Sequence, residues 1–98
     1  MLSTLPTQEQ VDQIARELAP DVVRIRFHED YNRYDVPVIR FQVILEDRAF
    51  TDDHLIEITR KVRDRVVDSL GLDHSDRRPH FRYRSVSDQE KVREASWE

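Results

Sequence analysis

Residues 21–46 read DVVRIRFHEDYNRYDVPVIRFQVILE. From Val22 to His28, Val23, Ile25 and Phe27 are interleaved with Arg24, Arg26 and His28. From Val38 to Glu46, Ile39, Phe41, Val43 and Leu45 are interleaved with Arg40, Gln42, Ile44 and Glu46. Successive side chains of a strand project to opposite faces, so each run reads as a strand with one buried face and one open face. The segment between them, Glu29 to Pro37, is long for a hairpin connection, where about two to five residues is usual. A third alternating run, His80 to Val86, sets Phe81 and Tyr83 against His80, Arg82 and Arg84.

The flanking segments change period. Val11, Ile14, Ala15 and Leu18 recur at helical spacing, which predicts a helix over Gln8–Ala19. Thr7 and Gln10 form a capping box at its start, and Pro20 stops it by pushing the preceding residue out of the α region. A second helix starts at Thr51, with Asp52 and Asp53 where the helix dipole favours negative charge. Leu55, Ile58, Val62, Val66 and Leu70 form its stripe, with Ile56 and Val67 to one side, and Gly71 falls at the position past the end where a left-handed residue closes a helix. Leu72 to Pro79 reads as a polar loop. Ser87 and Glu90 suggest a second capping box and a short third helix ending near Ala95, Ser96 and Trp97.

One apolar stripe per helix and one apolar face per strand predict an α+β, two-layer sandwich in the order α-β-β-α-β, with a short C-terminal helix. Residues 1–98 read as one domain, with the helices on one face of a three-stranded sheet and the other face open. The link from the second strand through the second helix to the third strand is long enough for a right-handed crossover. The pattern leaves the order of strands in the sheet undetermined.

The chain has 98 residues, one glycine and no cysteine. A phosphate-cradling loop, a nucleophile elbow and a GXXG clamp each need more glycine than this. The absence of cysteine removes disulfides, Cys-ligated zinc, iron–sulfur clusters and thiol catalysis. Gly71 is already spent on a helix end, so whatever chemistry the chain has must come from side chains. No basic start followed by an apolar run opens the sequence, and no apolar stretch is long enough to span a membrane. A cytoplasmic chain without a cofactor or a small-molecule substrate is therefore expected.

The net charge of −4 conceals an uneven distribution. All but Lys61 and Lys91 of the 16 cationic residues are arginine. Arg24, Arg26, His28, Arg40, Gln42, His80, Arg82 and Arg84 fall on the open sheet face, whereas the acidic residues fall on the helices and the tail. Two readings follow. The arginine stems cover the sheet while their heads reach water or pair with Glu46 and nearby carboxylates. Alternatively, the face receives an anionic partner: an acidic protein surface, a second copy of the chain forming a homo-oligomer, or nucleic acid. For nucleic acid, aromatic stacking platforms should lie between the arginines, yet alternation sends Phe27, Phe41, Phe81 and Tyr83 to the apolar side. The hairpin segment offers Tyr31, Arg33 and Tyr34, residue types of interface hot spots, which either meet a partner or cap the sheet edge with their rings. Trp97 either folds back onto its own core or docks into a partner. A protein-interaction module is thus expected, with RNA binding on the same face as the alternative.

Other constellations have simpler readings. Asp73, His74, Ser75 and Asp76 contain the letters of a triad, but sequence neighbours point in different directions. His74, Asp76 and His80 are candidate metal ligands for a small metal-dependent enzyme, though their spacing matches no established ligand pattern. Glu57 with Lys61 and Arg60 with Asp64 have the spacing of ion pairs on a solvated helix face. No nucleophile has a base beside it.

Three segments, DVVRIRFHEDYNRYD, VIRFQVILED and RPHFRYRSVSDQEKV, resemble a loose group of small bacterial proteins of unassigned function. That resemblance implies a toxin–antitoxin-like pairing with small helical proteins of the HEPN type. The order of elements is also similar to the cytoplasmic domain of cation-efflux transporters. This chain lacks their membrane part and a clear ligand set, so their function is not carried over.

Overall fold

The structure, a computed structural model, describes residues 6–72 and 77–97, and only the backbone of residues 52 and 96. Helix α1 spans Gln8–Glu17, β1 Val22–Tyr31, β2 Pro37–Leu45, α2 Asp52–Ser69, β3 Arg78–Ser85 and α3 Val86–Val92, with 3-10 turns at Asp47–Phe50 and Ala95–Trp97. The α+β class and the α-β-β-α-β order with a short C-terminal helix are as the sequence predicts. The sheet is mixed, in the order β1-β2-β3, with β1 antiparallel and β3 parallel to the central β2.

The local signals explain most boundaries. The Thr7 hydroxyl accepts from the Gln10 N–H, and the Gln10 side chain accepts from the Thr7 N–H, closing the expected capping box on α1. Gly71 takes φ +63 after the end of α2, a conformation that costs glycine little. The third helix begins two residues earlier than predicted. Its cap is Ser85, whose hydroxyl accepts from the Asp88 N–H; Ser87 instead bonds the Asp47 carboxylate through both its N–H and its hydroxyl.

The core lies between the sheet and the two longer helices. Val11, Ile14 and Ala15 of α1 and Ile58, Val62 and Val66 of α2 close over Ile25, Ile39, Phe41, Val43 and Leu45. Val23 was expected in this core, but it is 43% exposed and Val22 is buried instead. The register gives the reason. Val22 pairs with Leu45 and Arg24 with Ile44, so two β1 residues advance against one of β2. The extra residue at Val23 is a β-bulge, which turns Val22 inward without moving Ile25 or Phe27 from the core side.

The expected nine-residue connection of Glu29–Pro37 is also shorter. Glu29, Asp30 and Tyr31 continue β1 and pair with Ile39, Val38 and Pro37, leaving residues 32–36 as the loop. Asn32 organises it. The Asn32 side-chain oxygen accepts from the N–H groups of Tyr34 (2.8 Å) and Val36 (3.0 Å), and its backbone exchanges bonds with Val36 and Asp35 at 3.0 Å. Asp35 sits in the left-handed region at φ 59, which a short polar side chain tolerates.

Candidate binding surface

The register arranges the basic residues in cross-strand rungs: Arg24–Ile44–Arg84, Arg26–Gln42–Arg82, His28–Arg40–His80 and Asp30–Val38–Arg78. The sequence-predicted residues therefore do share one sheet face. That face is not uniformly open, however, and its two ends differ.

At the Arg24–Ile44–Arg84 end, the chain covers its own sheet. The αL residue Arg93 (φ 55) ends α3 and turns the backbone, and the Ala95–Trp97 turn packs on β1 and β2. Arg24 donates to the Trp97 carbonyl at 3.1 Å, while Arg84 lies 4.2 Å and Arg82 5.9 Å from the indole centroid. Arg84 also donates to Gln89 (2.8 Å) and Glu94 (3.0 Å). Trp97 thus spans from β3 to β1 above Ile44, and it is 1% exposed. Of the two readings of Trp97, folding back on its own chain is the one observed, but onto the sheet face opposite the main core. Ile44 and Gln42, expected on an open face, are consequently buried.

Several remaining arginines are held within the chain. Arg26 reaches Asp12 of α1 at 3.4 Å, Arg40 donates to Asp30 at 2.8 Å, and Arg77 lies 3.0 Å from Glu29. Hydrogen bonds from the Tyr31 backbone and Arg40 hold the Asp30 carboxyl below its ordinary value of 3.8. The Glu57–Lys61 pair forms at 3.3 Å, whereas the expected Arg60–Asp64 pair does not. Arg65 of α2 instead pairs with Glu17 of α1, tying the two helices together.

Toward the hairpin end the central Val38 is buried too, but side chains on the flanking strands stay exposed. His28, Arg78, His80 and Arg82 are exposed on the sheet face. Beyond them stand Tyr31 and Tyr34, 62% and 74% exposed, with Arg33 stacked on Tyr34 at 5.4 Å. Neither tyrosine is buried against the sheet. The aromatic rings of the strands, Phe27, Phe41, Phe81 and Tyr83, line the helix side as alternation predicts, with Phe27 tilted against Phe41 and the other neighbours stacked. Tyr83 donates to the Thr59 carbonyl of α2 at 3.2 Å, and burial pushes its phenol up to about 12.

Of the metal candidates, His74 and Asp76 lie outside the described residues, and His80 is on the exposed sheet face. Among the described residues no three His, Cys, Asp or Glu side chains gather in a metal-binding group. No described helix is long and apolar enough to cross a membrane. Sequence reasoning missed the β1 bulge and the division of the basic face by Trp97. No known protein family, curated protein or solved structure matches the chain.

Proposed function

We propose that this chain is a non-enzymatic protein-interaction module that presents its hairpin end to a partner protein. The observation that carries this reading is the pair Tyr31 and Tyr34, 62% and 74% exposed, one ending β1 and the other on the loop that Asn32 holds in one shape. Exposed aromatic rings on an ordered scaffold lose little conformational entropy on binding, and tyrosine and arginine dominate interface hot spots. The neighbouring guanidinium groups of Arg78 and Arg82, with the imidazoles of His28 and His80 beside them, favour an acidic partner surface. An antitoxin-like pairing is one form that such a module takes, and self-association is another.

The test compares native mass spectra of affinity-purified wild type, a Tyr31→Ser/Tyr34→Ser variant and an Arg78→Glu/His80→Glu variant. The reading predicts one stoichiometric co-purifying protein, lost from both variants while their melting temperatures stay close to wild type. Retention of that protein by both variants would remove the hairpin end from consideration. Arg24 and Arg40 are poor probes because their bonds to Trp97 and Asp30 hold the fold.

A further inference from the structure

The two outer edges of the sheet are not equivalent. β1 and β3 are the terminal strands, but α1 packs along β1, where the Gln8 amide donates to the Ile25 carbonyl at 3.0 Å. A backbone carbonyl that would invite another strand is already occupied there. β3 ends the sheet on the other side, and Pro79, which has no N–H to contribute to a ladder, is the kind of residue an edge strand accommodates.

The two flanks of β3 have different chemistry. On the open sheet face it exposes Arg78, His80 and Arg82. On the helix side a groove of about 540 Å³ runs between β3 and α2, where Ile56, Pro79, Phe81 and Tyr83 lie among Thr59, Arg60, Arg63 and His80. Its lining is mixed, with Pro79 and the Phe81 and Tyr83 rings beside polar side chains; Ile56 is 61% exposed, and Arg63 lies 5.7 Å from the Phe81 ring. The edge thus offers basic side chains on one side and, on the other, a groove that mixes apolar rings with arginines.

This charge distribution selects the occupant. A second copy pairing through the same strand would set arginines and histidines of one copy against those of the other, and like charges directly opposite destabilise a sheet. An acidic strand reverses the sign of those contacts. Because side chains alternate along an extended segment, one flank of such a strand can be acidic and the other apolar.

We propose that the outer edge of β3 receives an extended acidic segment of the partner protein as a fourth strand. Its carboxylates lie over Arg78, His80 and Arg82, and its alternate apolar side chains enter the groove at Ile56, Phe81 and Tyr83. This deepens the interaction-module reading and rests on it, adding a site distinct from the tyrosine tip.

The test uses the whole chain, isotope-labelled for amide NMR, and the peptide acetyl-EVEFEVE-amide. Controls are a peptide of the same composition with the acidic residues grouped, a version N-methylated at alternate amides, and oligouridylate. The expected result is shifts and slowed amide exchange along residues 78–84, binding that weakens from low to physiological salt, and loss of binding on N-methylation. Arg78→Glu/His80→Glu and, separately, Ile56→Asp should each weaken the peptide by about tenfold or more, while Tyr31→Ser/Tyr34→Ser leaves it unchanged. Equal binding of the grouped peptide would reduce the effect to unspecific charge and overturn the proposal, as would stronger binding of oligouridylate. Concentration-dependent shifts along β3 without peptide would assign the edge to a second copy and overturn it too. Shifts confined to residues 31–34 would sink the edge site while leaving the tyrosine-tip reading intact.

Discussion

The Arg84 guanidinium stands 4.2 Å from the centre of the Trp97 indole and also holds Gln89 and Glu94, so one side chain fastens the segment after α3 to the sheet. Trp97→Ala should cost about 3–5 kcal/mol, the range for deleting a large buried aromatic. Arg84→Lys keeps the charge but loses the planar fork, and should cost about 1 kcal/mol. Urea unfolding of both single variants and the double variant checks this, with the double costing less than the sum of the two.

Val22 and Val23 are chemically identical neighbours with opposite environments, 2% and 43% exposed. Val22→Asp buries a charge against Leu45 and α1 and should cost about 3 kcal/mol or more. Val23→Asp should stay within about 1 kcal/mol of wild type. Equal melting temperatures for the two variants would contradict the bulge.

These two valines also mark the limit of what the sequence makes legible. Alternation identifies a strand and its faces, but it cannot reveal one extra residue when both candidates are valine. The polar Glu29, Asp30 and Tyr31 read as loop because neither of their faces is buried, although they pair with β2 to the end. The helix ends at Thr7 and Gly71 were readable because each signal lies within a few residues of its effect. That Trp97 folds back was one of two readings, but the surface it meets was not readable, since its carbonyl bonds Arg24 from 73 positions away. The basic rungs were correctly placed on one face, but their division into a covered end and an open end depends on that distant contact.

Burial holds the Tyr83 phenol neutral to about 12, against an ordinary 10.0. The folded state therefore keeps a proton that the unfolded chain releases. This contribution to stability is fully present below pH 10.0 and is lost as the pH rises towards about 12. Tyr83→Phe should remove this part of the alkaline fall in unfolding free energy, at the expense of the bond to Thr59. An unchanged slope in that window would count against it.

Asp47 behaves in the opposite sense. The Ser87 hydroxyl and then the Ser87 N–H hold its carboxyl below 3.8. Its contribution is present above that value and is lost as the pH falls through the lower folded value. Ser87→Ala should make the acid unfolding curve shallower in this region, and chemical-shift titration of the Asp47 carboxyl should return it towards 3.8.

Asn32→Ala removes the acceptor for two backbone N–H groups and should cost about 1–2 kcal/mol. Faster amide exchange at Tyr34 and Val36, with exchange in α1 and α2 unchanged, would locate the loss in the loop.

Because Asn32 orders the turn through its own side chain and backbone, the rings at positions 31 and 34 and the guanidinium at 33 contribute little to keeping it folded. Tyr31, Arg33 and Tyr34 are thus lettering on a fixed frame. Substitutions at those three positions should leave the stability of the sheet below them close to wild type.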